Sequence, residues 1–325
     1  MSSAPDTLSG DGQLQDAALR PTEWDEYVGQ AQVKANVRVA IDAAKKRGGM
    51  PEHLLFYGPP GVGKTTLAYL VASTLGANLK STSGVAIERA ADLAAILTNL
   101  EPGTVLFIDE IHRLSRKIEE LLYPALESGH LDIVLGKGPS ARTVELALPA
   151  FTLVGATTRM AELSGPLRSR FGGGTFQLDF YSDRDLRDII RRSASRLGVD
   201  ATDDAIENIA AKSRATPRVA NSLLKRVRDY SLVHEKPVDA ALCDEACILF
   251  GIDAHGLTKD DRRYLETLRE GFRGGPAGIR ALASAMHEEP DTVEHVYEPY
   301  LLRLGFIERS PRGRILTSKG REYLG

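Results

Sequence analysis

The sequence predicts an α/β fold, a parallel sheet covered by helices, followed by a small helical unit and a winged-helix unit. Three observations carry that expectation. From His53 to about Phe180 the short apolar runs HLLFY, TVLFIDE and FTLVGATT alternate with helical segments, as strands joined by crossover helices do. From Ser182 to about Leu249 the strands disappear and helical periodicity takes over. Beyond the joint GIDAHG the chain reads as three helices and a short hairpin, the order of a winged helix.

A chain of 325 residues exceeds one ordinary domain. Its 42% hydrophobic and 26% charged content are those of a globular protein, and the net charge of −3 confines any nucleic-acid contact to a local patch. No apolar run approaches membrane-spanning length. Residues 1–20, MSSAPDTLSGDGQLQDAALR, lack the apolar core of a signal peptide and read as a loose polar tail, so the expected location is the cytoplasm. Cys243 and Cys247 stand four apart on one helix face with no second ligand pair nearby, which fits small buried side chains better than a metal site.

The first strand leads into GPPGVGKTT, Gly58 to Thr66, and then into KTTLAYLVASTLG, whose apolar residues recur at helical spacing. The pattern G-x-x-x-x-G-K-[ST] between strand and helix is a phosphate-binding loop. Gly58, Gly61 and Gly63 let the backbone approach an anion, Lys64 neutralises the terminal phosphates of ATP, and the Thr65 hydroxyl ligates Mg²⁺. The strand TVLFIDEIH ends in Asp109 and Glu110, which places two carboxylates at the same sheet edge. Asp109 suits the Mg²⁺ shell and Glu110 the attacking water. The next strand, FTLVGATTR, ends in Thr157 and Thr158, within reach of the γ-phosphate or its water. Arg168 and Arg170 follow in the turn GPLRSRF, with no acid close in sequence, and Arg218 begins a helix, an odd place for a cation unless an anion is near.

In the helical unit, Ser182 with Asp185 three residues on marks a helix start at SDRDLRDIIRRSASRLG. HLDIVLGKGPSARTVELALP, spanning Leu131 to Leu148, alternates on both sides of GKGPS and reads as an inserted hairpin. It is either a sheet extension with a buried face or a protruding docking element. The last 25 residues hold Arg303, Arg309, Arg312, Arg314, Lys319 and Arg321 against two acids. Arg309, Arg312 and Arg314 around the turn SPRG point to sequence-independent contact with DNA phosphates, Arg309 and Arg314 projecting on either side of the tip. A solvated basic face or a protein-binding wing is the alternative.

Taken together, GPPGVGKTT, VLFIDEIHRLSR, LDIVLGKGPSAR, GATTR, PLRSRFG and ATPRVANSLLKRVRD resemble the AAA+ ATPases, and within them the motors of Holliday-junction branch migration. The resemblance runs from about Leu19 to the C-terminus. It implies a large ATPase domain over 21–181, a lid over 182–252 and a winged-helix head over 253–325. It implies further that Gly61, Gly63, Lys64, Thr65 and Thr66 hold ATP, that Thr65 and Asp109 hold Mg²⁺, and that Asp109 and Glu110 are the Walker B pair. Thr158 becomes sensor 1, Arg170 an arginine finger acting on the neighbouring subunit, and Arg218 sensor 2. Leu19, Arg20, Tyr27 and Val28 border the adenine, and Tyr181 lies near the nucleotide. The implied partners are further copies in a hexameric ring, junction and duplex DNA, RuvA at the 131–148 hairpin, and RuvC in the full complex. Two departures from that pattern are the glycines at 172–174, which put the placing of Tyr181 in question, and Ser128 and Gly129 after Glu127, which put a nucleotide contact there in question. A clamp-loader-like ATPase and a nucleotide-gated DNA-binding regulator share many of these motifs. The first would carry a collar-forming helical domain in place of the winged helix, and the second has no use for both Glu110 and Arg170.

Overall fold

The structure is a computed structural model that describes residues 18–135 and 142–325. Most of the expected N-terminal tail and the hairpin apex GKGPS lie outside the described residues. The chain forms two compact units, divided between Tyr181 and Ser182.

In the first unit, α1 (Ala31–Lys46) precedes β1 (Leu54–Tyr57), α2 (Lys64–Leu75), β2 (Leu79–Ser83), α3 (Ala90–Thr98), β3 (Thr104–Asp109) and α4 (Arg116–Glu127). Then follow β4 (His130–Leu135), β5 (Arg142–Ala147), β6 (Phe151–Thr157), α5 (Gly165–Ser169) and β7 (Gly174–Gln177). Five strands form one sheet in the order β2-β3-β6-β1-β7, with parallel pairing throughout. β1, β3 and β6 occupy its middle and are buried along nearly their whole length, which is why they read as unbroken apolar runs. Leu55, Leu106, Ile108 and Leu153 from these strands meet Leu93, Leu97, Ile118 and Leu122 from α3 and α4 in one core.

The register fixes where the loops emerge. Tyr57 pairs with Thr157 and Ile108 with Gly155, so β1, β6 and β3 end side by side. The phosphate loop, Thr157–Thr158 and Asp109–Glu110 therefore leave one edge of the sheet from neighbouring strands.

Among the described residues β4 and β5 pair antiparallel with each other only, Leu131 opposite Leu146 and Ile133 opposite Val144. Leu131 is buried, but Val144 and Leu146 are exposed. The hairpin is thus not an extension of the main sheet. Ser128 ends α4, its N–H donating to the Pro124 carbonyl, and Gly129 turns the chain into β4 at φ 68°. Glycines 172–174 are explained by close packing. A β-carbon at Gly173 would stand 2.5 Å from the Glu52 carbonyl oxygen, so the chain needs glycine to slide past the start of β1 before β7 pairs with it.

The second unit opens with α6 (Asp183–Leu197), capped as expected by the Ser182 hydroxyl, which accepts from the Asp185 N–H at 3.2 Å. α7 (Asp203–Ala211), α8 (Pro217–His234) and α9 (Ala240–Phe250) complete a helical cluster. Cys243 and Cys247 are buried in it as free thiols, and burial pushes the Cys243 thiol up to about 12. The winged part follows as α10 (Lys259–Gly271), α11 (Ile279–Met286), α12 (Glu298–Leu304), the antiparallel strands β8 (Ile307–Ser310) and β9 (Gly313–Leu316), and α13 (Ser318–Leu324). The stretch DTVEHVYEPYLLRLG is one continuous helical run from Pro290 to Leu304, widened to a π turn over Val293–Tyr297 ahead of α12. Pro299 accounts for the widening, since it has no N–H to donate one turn back and its ring crowds that carbonyl. Arg214 ties the helical cluster to the wing: it pairs with the buried Asp261 and lies 4.9 Å over the Tyr300 ring.

Candidate nucleotide site and basic wing

The phosphate loop is built so that α2 begins without a side-chain cap. Gly63 stands at its N-terminus at φ 101°, leaving the first N–H groups of the helix to an incoming anion. Lys64 is buried, its ammonium donating to the carbonyls of Gly58 at 2.9 Å and Pro59 at 2.8 Å. The charge is thereby held over the loop. A β-carbon at Gly63 would meet the Tyr27 hydroxyl at 2.7 Å. Tyr27 and Tyr181 both direct their hydroxyls at the Val62 carbonyl, at 3.5 and 3.2 Å, and both rings are buried. Burial first, then the neighbouring Tyr181, raises the Tyr27 phenol well above its ordinary value, so it stays protonated as a donor. Tyr181 therefore reaches the loop despite the glycines before it. Leu19 is buried close to the start of the described chain, and the Arg20 guanidinium lies 3.8 Å over the Tyr69 ring of α2. Gly61, Thr65, Thr66 and Val28 stand on the same loop, the first turn of α2 and the segment after Tyr27.

At the end of β3, Asp109 accepts the Glu110 N–H at 3.0 Å. Glu110 sits in the left-handed region at φ 45°, ψ 47°, an uncommon backbone for a non-glycine residue. Its Oε2 accepts from the Thr158 N–H at 3.2 Å, from the Thr158 hydroxyl at 3.0 Å, and from His112 Nδ1 at 3.2 Å. Partial burial pushes this carboxyl up, but the donors from His112 and Thr158 outweigh it and hold Glu110 down at about 2. Glu110 is thus ionised at neutral pH, as an acceptor for a water proton must be. Among the described residues no group of three or more His, Cys, Asp or Glu is gathered to hold a metal. A cation here would take Thr65 and Asp109 together with phosphate oxygens, the manner in which Mg²⁺ is commonly held on a nucleotide.

Arg170 is less exposed than its turn suggested. Its guanidinium pairs with Glu127 at 2.9 Å, donates to the Pro166 carbonyl at 2.7 Å and stacks 4.2 Å from the centre of the Tyr123 ring. The acid absent from its sequence neighbourhood arrives from the end of α4. Arg218 occupies the first turn of α8 in the second unit, after Pro217.

The wing requires a correction. Arg309 and Arg314 do not project freely on either side of the turn. Both close on Glu298, which is fully buried, Arg309 Nε at 2.8 Å and Arg314 Nε at 2.8 Å, and both also pair with Glu294. Tyr264 donates to the same Glu298 carboxylate at 3.2 Å. A buried carboxylate must be neutralised, and the two strands of the hairpin supply the cations that do it. Two arginines face two glutamates, leaving Arg312, exposed at the tip, as the arginine of the turn with no ion pair among the described residues. These acids lie on the preceding helix, up to 20 residues before the arginines they pair with, and only the fold brings them onto the hairpin.

A parallel sheet with a phosphate loop after β1, an acidic strand end on β3, a polar one on β6 between them, and a helical cluster after the sheet defines a P-loop ATPase-type domain with an AAA lid. Comparison with known families agrees. Residues 19–176 match the Holliday junction DNA helicase RuvB P-loop domain, residues 181–253 the RuvB AAA lid domain, and residues 254–325 the RuvB C-terminal winged helix domain. The chain belongs to the RuvB family. It is 53% identical over 310 residues to the Holliday junction branch migration complex subunit RuvB of Dehalococcoides mccartyi, covering 95% of this chain and 88% of that one. The corresponding subunit of Thermomicrobium roseum is 55% identical over 308 residues, 94% of this chain and 87% of that one. Among solved structures, the Thermotoga maritima RuvB Holliday junction branch migration motor superposes with a TM-score of 0.86 at 47% identity, covering 94% of this chain and 98% of that one.

The contact between Gly63 and Tyr27 gives a direct test of the loop. Gly63→Ala places a methyl group against the Tyr27 hydroxyl on a backbone that side chains disfavour. ATP affinity measured by calorimetry should fall by about tenfold or more, corresponding to roughly 1.4 kcal/mol, while the far-ultraviolet circular dichroism stays that of the native chain. Wild-type affinity would show that the loop does not hold the phosphates.

Proposed function

We propose that the chain is an ATP-driven DNA motor for branch migration of Holliday junctions in recombination and repair, working as a hexameric ring with RuvA and, in the full complex, RuvC. The observation that carries the reading is the meeting of the phosphate loop, Asp109, Glu110 and Thr158 at one sheet edge in a chain of the RuvB family. Mg²⁺ bound to the phosphates would offset their charge. Lys64 holds the phosphates, Thr65 and Asp109 hold the ion, and Glu110 takes a proton from the attacking water while Thr158 keeps its carboxylate in place. Leu19, Arg20, Tyr27, Val28 and Tyr181 border the base and sugar, and Arg218 is the sensor 2 arginine of the lid. Arg170, preset by Glu127 and Tyr123, serves the site of the adjacent subunit. The β4–β5 hairpin, paired only with itself and exposing Val144 and Leu146, is the surface offered to RuvA.

Arg312 is the principal phosphate contact of the wing, with Arg309 and Arg314 beside it sharing their charge with Glu294 and Glu298. Contacts of this kind read no bases, which suits a motor that must pass over any sequence.

Lys64→Ala should abolish ATP binding, whereas Glu110→Gln should bind ATP and lose turnover; equal loss of affinity in both, by calorimetry, would refute this division of roles. Arg170→Ala subunits mixed with Lys64→Ala subunits should regain part of the hydrolysis that neither shows alone, and no recovery at any ratio, with assembly confirmed by sedimentation, would place Arg170 in its own subunit's site. In the wing, Arg312→Ala should lower the magnitude of the salt slope of duplex binding by about one unit, as expected for one lost phosphate contact. Arg314→Ala should instead lower the melting temperature by uncovering Glu298. A salt slope unchanged by Arg312→Ala would move the DNA path away from the hairpin.

A further inference from the structure

His112 follows the Walker B acids in DEIH, with no ligand or catalytic spacing to assign it a role. In the structure it is buried, and its Nδ1 lies 3.0 Å from the Thr157 hydroxyl and 3.2 Å from Glu110 Oε2. An ionised carboxylate can only accept, so the tautomer with the proton on Nδ1 joins the ring to Oε2, whereas a ring protonated at Nε2 accepts the Thr157 hydroxyl at Nδ1 instead. Thr157 Oγ1 already accepts the Arg159 N–H at 2.9 Å, and the Thr157 carbonyl accepts the Gly58 N–H at 3.2 Å. The imidazole therefore stands between the carboxylate of β3 and the strand β6 that touches the first residue of the phosphate loop.

The distribution of donors on Glu110 is uneven. Oε2 receives three, from the Thr158 backbone, the Thr158 hydroxyl and His112, while no donor among the described residues reaches Oε1. The Glu110 side chain is 37% exposed and that of His112 3%. The backbone is fixed as well: the Arg113 N–H donates to the Glu110 carbonyl at 2.8 Å, and a β-carbon at Gly84 would come within 2.5 Å of that oxygen. One oxygen of the carboxylate is anchored in protein and the other has no donor among the described residues.

We propose that His112 is a positioning residue for ATP hydrolysis, pinning Oε2 of Glu110 through Nδ1 so that Oε1 is turned to the attacking water. His112 touches neither phosphate nor water in this arrangement. It acts through Glu110, as the third group of a catalytic constellation orients the base. The inference rests on the proposed hydrolytic activity and extends it to a residue outside the motifs that bind nucleotide.

The test compares the full chain with His112→Ala and His112→Asn, the asparagine placing its amide nitrogen close to the position of Nδ1. His112→Ala should lose about tenfold in kcat, the size expected from losing one orienting hydrogen bond to a charged group. Its KM and its affinity for a non-hydrolysable ATP analogue should stay within about twofold of wild type. His112→Asn should recover most of the loss. Independently of turnover, ¹⁵N NMR of the nucleotide-free wild type should show the His112 ring protonated at Nδ1, with that resonance displaced by Glu110→Gln. A kcat in His112→Ala equal to or above wild type, a ring protonated at Nε2 alone, or no recovery in a folded His112→Asn would each overturn the proposal. If the wild type turns over no ATP, the hydrolytic reading fails, and the NMR result still decides whether His112 holds Glu110.

Discussion

Everything at the nucleotide site depends on the parallel register of β1, β6 and β3. Because Tyr57 lies opposite Thr157 and Ile108 opposite Gly155, three strands that are distant in sequence end together. The phosphate loop, the acidic pair and the two threonines then need no long side chains to meet. Thr158 reaches Glu110 with its own backbone N–H and hydroxyl, and Thr157 receives the first N–H of the loop through its carbonyl. Those short bonds are available only while the strands hold register. A slip of one residue would turn the threonines to the other face of the sheet and leave Glu110 without its donors.

The same economy of short connections appears in the wing, with a different result. Glu298 is buried where a pleated hairpin meets the helix that widens to a π turn just before it, and a charge so placed requires cations. Arg309 and Arg314 occupy opposite positions on β8 and β9 and meet that requirement together. The hairpin is thereby fastened to the helix, and the turn carrying Arg312 is held out from a rigid base. Positive charge in this region does structural work before it does any recognition.

Much of this was legible in the sequence, for identifiable reasons. β1, β3 and β6 are buried on both faces and so announce themselves as apolar runs; the phosphate loop is specified by glycine and lysine at fixed spacing; Ser182 and Asp185 mark a helix start by local hydrogen bonding. β2 was not legible: LKSTS lies at the sheet edge, half exposed, with no apolar alternation to mark it. The partner of Arg170 was hidden because Glu127 comes from another element, and the ion pairs of Arg309 and Arg314 were hidden because charge counted along the chain takes no account of a helix folding back on a hairpin. His112 was missed for a related reason. A single histidine after an acidic pair carries no spacing signal, and only the fold turns its ring back to Glu110, between that carboxylate and a hydroxyl 45 residues away.

The central claim is that this site powers movement of a DNA junction, and the most direct measurement is ATP hydrolysis by the full chain alone, with linear duplex, and with a four-way junction plus RuvA, followed alongside conversion of that junction to duplex products. The prediction is hydrolysis that rises most with the junction and RuvA together, with products appearing only while ATP is consumed. Hydrolysis that ignores the junction, or that proceeds while the junction stays intact, would contradict it and assign the nucleotide machinery to another task.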